Sequence, residues 1–167
     1  MYLSRVAQVI LLDFYNHFVT DREEPFDQPG TPEEPKGHYI FDKPEPLWNF
    51  GHGKSYTTFD YVDCALSDTL LVASDTLKVS VTIKNTGRRD GKEVVQLYVR
   101  DKVSTVATPI QQLKAFQKVL VKPGESQCVE LSLPIAELAL YNAKMEEVVE
   151  PGDFEIQIGA ASDDIRF

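Results

Sequence analysis

Two cysteines in 167 residues, Cys64 and Cys128, are too few for the disulfide frameworks that hold small secreted domains together. No apolar run approaches the roughly 18 residues that a membrane-spanning helix needs. The N-terminus lacks the short apolar block and small-residue cleavage site of a signal peptide, and no Asn-x-Ser/Thr acceptor marks a glycosylated loop. Clustered Lys and Arg are also missing. With a formal charge of -9, the chain is a poor partner for phosphate backbones or anionic membranes, so neither nucleic acid nor membrane is expected as a partner. The 43% hydrophobic and 26% charged residues are nonetheless ordinary globular composition, which excludes global disorder.

Three regions differ in character. Residues 2–19 contain no Gly or Pro and place Leu3, Ala7, Ile10, Phe14 and Phe18 at helical spacing, while Val9, Leu12 and Tyr15 make the opposite face apolar too. Residues 1–19 are therefore expected to form an apolar, helical segment that docks or self-associates. Residues 20–46 carry six of the ten prolines, together with Asp21, Glu23, Glu24, Asp27, Glu33 and Glu34. Proline removes donors and biases its predecessor toward extended geometry, and the like charges repel, so this stretch reads as a linker.

From residue 47 to the end the period becomes two. Leu77, Val79, Val81 and Ile83 alternate with polar residues and stop at Asn85-Thr86-Gly87, a strand buried on one face and closed by turn residues. Glu93–Arg100 places Val95, Leu97 and Val99 inward and leaves Gln96, Tyr98 and Arg100 for the outside. Ile110–Val121 alternates irregularly and reads as a bulged or edge strand, with Lys114, Gln117 and Lys118 on the exposed edge. After the turn at Lys122-Pro123-Gly124-Glu125 come a strand with Val129, Leu131 and Leu133 and one helical turn after Pro134. A short return to Val148-Val149 and a last strand with Phe154, Ile156 and Ile158 complete the chain. About seven short strands separated by turn signals predict an all-β, antiparallel sandwich of the immunoglobulin or fibronectin type III-like class. In that topology Cys64 and Cys128 flank an intervening strand, about 10 Å apart, and stay free thiols.

Signals for chemistry are weak. Gly51-His52-Gly53-Lys54-Ser55 looks like the end of a phosphate-binding loop, but Trp48 stands where the motif needs its first glycine and a strand, not a helix, follows. His17, His38 and His52 lack paired spacing, so no metal or cofactor is expected. Glu146-Glu147 and Asp163-Asp164 are adjacent residues that a strand would point to opposite faces, which defeats a convergent acid and base. No Gly-x-Ser-x-Gly elbow occurs. The informative stretch is the boundary itself, where Trp48, Phe50, His52, Tyr56 and Phe59 crowd around two glycines and are the candidate inter-domain or ligand contacts. The residues alone leave a non-catalytic accessory domain and a carbohydrate- or protein-binding module, the latter using aromatics such as Trp48 and Tyr98, both open.

Four ordered blocks carry a resemblance. They are PLWNFGHGKSYTTFDY, VTIKNTGRRDGKEVVQLYVRD, LKAFQKVLVKPGES and VVEPGDFEIQIGAASDDIRF. Together they resemble the C-terminal fibronectin type III-like domain of glycoside hydrolase family 3, the β-glucosidases and β-xylosidases. Upstream, VAQV and FYNH are similar to the end of the preceding α/β sandwich domain. The resemblance implies that the nucleophilic aspartate and the acid/base glutamate belong to domains upstream of this region. On that basis no residue here inherits a catalytic role, the chain alone is not an enzyme, and its partners are the catalytic domains of such a hydrolase.

Overall fold

A computed structural model describes residues 47–167. The expectations for residues 1–19, for the linker at 20–46, and for His17 and His38 fall outside the described residues. Gly51–Phe167 forms one compact unit. Its elements are β1 (Phe59–Leu66), β2 (Thr76–Asn85), β3 (Gly91–Asp101), β4 (Gln112–Val121) and β5 (Ser126–Pro134), then a 3₁₀ turn (Ile135–Leu138). They are followed by β6 (Leu140–Tyr141), β7 (Glu147–Val148), β8 (Phe154–Ala161) and β9 (Asp164–Ile165).

All pairings are antiparallel. One sheet has the order β1-β2-β5, the other β4-β3-β8-β9, and β6 with β7 makes a separate hairpin. The expected all-β sandwich is what the chain forms. Its core interleaves the predicted alternating residues: Val79, Val81 and Ile83 of β2 and Val129, Leu131 and Leu133 of β5 face Val95, Leu97 and Val99 of β3 and Ile158 of β8. Each such side chain contributes roughly 1.5–3 kcal/mol when fully buried. These positions therefore set which face of each strand turns inward, since a one-residue slip would expose all of them.

Several local expectations find their cause here. β4 is an edge strand, and its register against β3 jumps between Leu97 and Tyr98, leaving Lys114 as the extra residue of a bulge. That bulge turns Lys114 from the exposed position expected of it to a half-buried one, where its ammonium donates to the Glu137 carbonyl at 2.8 Å. Cys64 lies opposite Val81 and Cys128 opposite Thr82, on the two sides of β2, and both thiols are free. β9, a two-residue strand added to the edge of β8, has no sequence signal of its own.

One assignment is reversed. Gln96 and Tyr98, expected to face solvent, are 3% and 1% exposed. Alternation places them on the outer face of β3, but that face is roofed near Gly51, so period two reports which side a residue takes and not whether that side is wet.

Candidate functional site

Two polar constellations sit at the end of the sandwich where the chain enters it. The first is the roof over β3. The Tyr98 hydroxyl donates to Gln96 Oε1 at 2.6 Å, and Gln96 Nε2 donates to the Gly51 carbonyl at 3.2 Å and to the Ala160 carbonyl. Gly51 has φ of 81°, and a Cβ there would lie 2.2 Å from Gln96 Oε1. Only glycine both adopts that backbone and lets the two groups approach. Burial, with the charge of Asp163 adding to it, pushes the Tyr98 hydroxyl up to about 12, so at neutral pH it is a fixed hydrogen-bond donor.

The second constellation joins the two sheets. Tyr61 of β1 donates to Glu93 Oε1 of β3 at 3.2 Å. The Arg166 guanidinium stands 5.7 Å from the centre of the Tyr61 ring, within cation–π range, and is held by Asp164 through contacts of 2.6 and 2.9 Å. Burial raises the Glu93 carboxyl above its ordinary range despite the Tyr61 hydroxyl, and burial, then the Glu93 charge, raises the Tyr61 phenol. The sequence held a clue to this cluster. Glu93 shares parity with Val95, Leu97 and Val99, so the strand that aims those residues at the core aims a carboxylate inward at its end.

An open groove of about 400 Å³ runs beside this cluster, walled by Gly51, Gly53, Lys54 and Ser55 and by Lys92 and Lys118 among others. Of the aromatic and imidazole candidates at the boundary, Phe59 packs half-buried on the core, while Tyr56 is 92% exposed and His52 is exposed. Phe59 and Tyr56 therefore part rather than stack. Trp48 and Phe50 are 51% and 41% exposed. The buried Tyr98 ring offers no face to a ligand, which corrects its assignment as an exposed platform. Asp164, taken with Asp163 as simple surface charge, is instead half-buried and anchors Arg166. Among the described residues no group of three or more His, Cys, Asp or Glu is placed to hold a metal ion. Likewise, no helix among them is long and apolar enough to cross a membrane.

The strand order and the core are those of an antiparallel β-sandwich, and residues 93–162 match the fibronectin type III-like domain model. The chain carries a fibronectin type III-like domain. Its relatives are β-glucosidases and β-xylosidases. A β-xylosidase of Formosa agariphila is 44% identical over 133 residues, covering 78% of this chain and 18% of that enzyme. A periplasmic β-glucosidase of Salmonella typhimurium is 36% identical over 152 residues, covering 89% and 19%. Among solved structures, a β-glucosidase from Listeria innocua in complex with glucose superposes with a TM-score of 0.68 at 37% identity, over 83% of this chain and 20% of that one. The chain thus spans about a fifth of the length of these relatives, and in them the domain is one part of a much longer polypeptide. What this chain shares with these enzymes is a fibronectin type III-like domain and about a fifth of their length.

Proposed function

We propose that this chain is the non-catalytic accessory and stabilising module of a β-glucosidase-like glycoside hydrolase, acting in cis on catalytic domains. In this reading residues 1–19 are an apolar contact segment, residues 20–46 a linker, and residues 47–167 the sandwich. Trp48, Phe50, His52, Tyr56 and Phe59 form the joint toward the neighbouring domains. The observation that carries the proposal is the alignment itself: 36–44% identity confined to about a fifth of each enzyme. Trp48, Phe50 and Tyr56 are exposed and so available to such a joint.

The test is a domain exchange. The Listeria innocua enzyme with its matching domain deleted, and the same enzyme carrying residues 47–167 in that place, are compared for thermal stability and for hydrolysis of an aryl β-glucoside. The exchange is expected to restore both. Equal stability and activity of the deleted and exchanged enzymes would end the proposal, and hydrolysis by the purified chain alone would contradict its non-catalytic character.

A further inference from the structure

The groove beside the Tyr61–Glu93 pair has a charge pattern that the accessory role does not require. Its acidic groups are already committed: Glu93 accepts from Tyr61, and Asp164 grips Arg166. Its remaining cations are not. Lys54 of the boundary loop, Lys92 of β3 and Lys118 of β4 all line the groove, all are exposed, and none forms an ion pair among the described residues. Lys92 lies opposite Leu120 and Lys118 opposite Val94, so the two lysines are diagonal neighbours on one face of the sheet. Three positive charges from three different elements, unpaired among the described residues, line one groove.

The wall they share is also open. A Cβ at Gly53 would meet nothing within 4 Å, and its φ is not in the left-handed region, so the fold itself does not demand glycine there. The free volume of about 400 Å³ suits one or two sugar rings and is small for a helix or a strand pair. Ser55 adds a hydroxyl to the lining, which suits a polyhydroxylated ligand better than a bare inorganic anion, while the Thr57 and Thr58 hydroxyls beside it are held by Asn85 and Thr86. Lysine ammonium groups on flexible stems act as point charges suited to a carboxylate whose position varies with the sugar.

We propose that this groove binds acidic saccharides, with a uronate carboxylate held among Lys54, Lys92 and Lys118 and the ring seated against the Gly53–Ser55 wall. The site is independent of the accessory reading, and the domain exchange above can fail without touching it. The experiment is a titration of the isotope-labelled chain, followed by NMR, with three probes: a glucuronic acid-bearing disaccharide, its neutral glucose-bearing counterpart, and inorganic phosphate. The uronide is expected to shift groove residues and to bind at least about tenfold more tightly than either other probe. Raised salt is expected to weaken it. A triple variant, Lys54→Ala, Lys92→Ala and Lys118→Ala, changes only exposed side chains and is expected to keep the fold while losing about tenfold or more in uronide affinity. Equal binding of the neutral sugar, equal binding of phosphate, unchanged affinity of the triple variant, or no shift at any groove residue would each overturn the assignment.

Discussion

Replacing Gln96 with leucine tests whether the roof over β3 is held by its polar network. Leucine nearly fills the glutamine volume, so the change removes hydrogen bonds without opening a large cavity. It deprives the Tyr98 hydroxyl, 1% exposed, of the oxygen it donates to, and removes the bond to the Ala160 carbonyl. A buried donor left unsatisfied costs about 1–3 kcal/mol and a lost neutral bond about 1 kcal/mol, so the variant should lose about 3 kcal/mol. Tyr98→Phe should cost less, about 1–2 kcal/mol, because only Gln96 Oε1 loses a partner. The decisive member is the double variant. With both groups apolar, neither is left unpaired, and the pair should cost clearly less than the sum of the two singles. Urea unfolding of the four proteins at one pH, with equal slopes, measures all of this. Single variants within about 0.5 kcal/mol of the parent, the range of ordinary surface changes, would refute the reasoning. Strict additivity would refute the coupling.

Asn85, Glu93 and the alkaline titration of Tyr98 supply three more tests. Asn85 is fully buried, accepts from Thr57 at 2.7 Å and from the Gly87 amide at 3.0 Å, and donates to the Arg89 and Val121 carbonyls at 2.8 Å each; Asn85→Ala should cost about 3 kcal/mol in urea unfolding, and a loss below about 0.5 kcal/mol would show the network to be dispensable. Glu93 has a folded carboxyl raised above its ordinary 4.5, chiefly by burial, so its contribution is present below that value and is lost as pH rises through the folded one; measured against Glu93→Gln, the parent should lose stability from acid to neutral pH, and a flat difference would count against a buried carboxyl. Tyr98, raised from 10.0 to about 12 by burial and by Asp163, contributes stability that is intact below 10 and lost between the two values. Tyr98→Phe should flatten that alkaline decline, whereas the Lys114 ammonium, lowered by burial, pulls the other way in both proteins and cancels in the comparison.

The strands and their inward faces were legible because Leu77 to Ile83 and Val129 to Leu133 alternate without interruption, and burial of one face is what alternation encodes. The bulge in β4 showed as a broken alternation around Phe116. Gln96 and Tyr98 were misplaced for a definite reason: their cover comes from Gly51, 45 residues away for the Gln96 contact, and a local period carries no word of a distant loop. The Tyr61–Glu93–Arg166 cluster is similar, since it needs β1, β3 and the residues after β9 together. Only the parity of Glu93 hinted at it. The glycine-rich stretch at 51–53 reads in sequence as a packed turn, and its two glycines turn out to differ. Gly51 is demanded by backbone and contact, and Gly53 by neither.

The order β4-β3-β8-β9 also bears on how the domain comes into being. The β1-β2-β5 sheet and the β3–β4 hairpin need nothing beyond residue 134, yet the strand that flanks β3 on its other side pairs Gln96 with Gly159. Such long-range pairing folds slowly, on the order of milliseconds to seconds. On a ribosome adding about 5–20 residues per second, the half-built sandwich waits with one edge of β3 bare until β8 arrives. During that interval β3, rich in valine and leucine, is the segment that a chaperone or a second nascent chain would meet first.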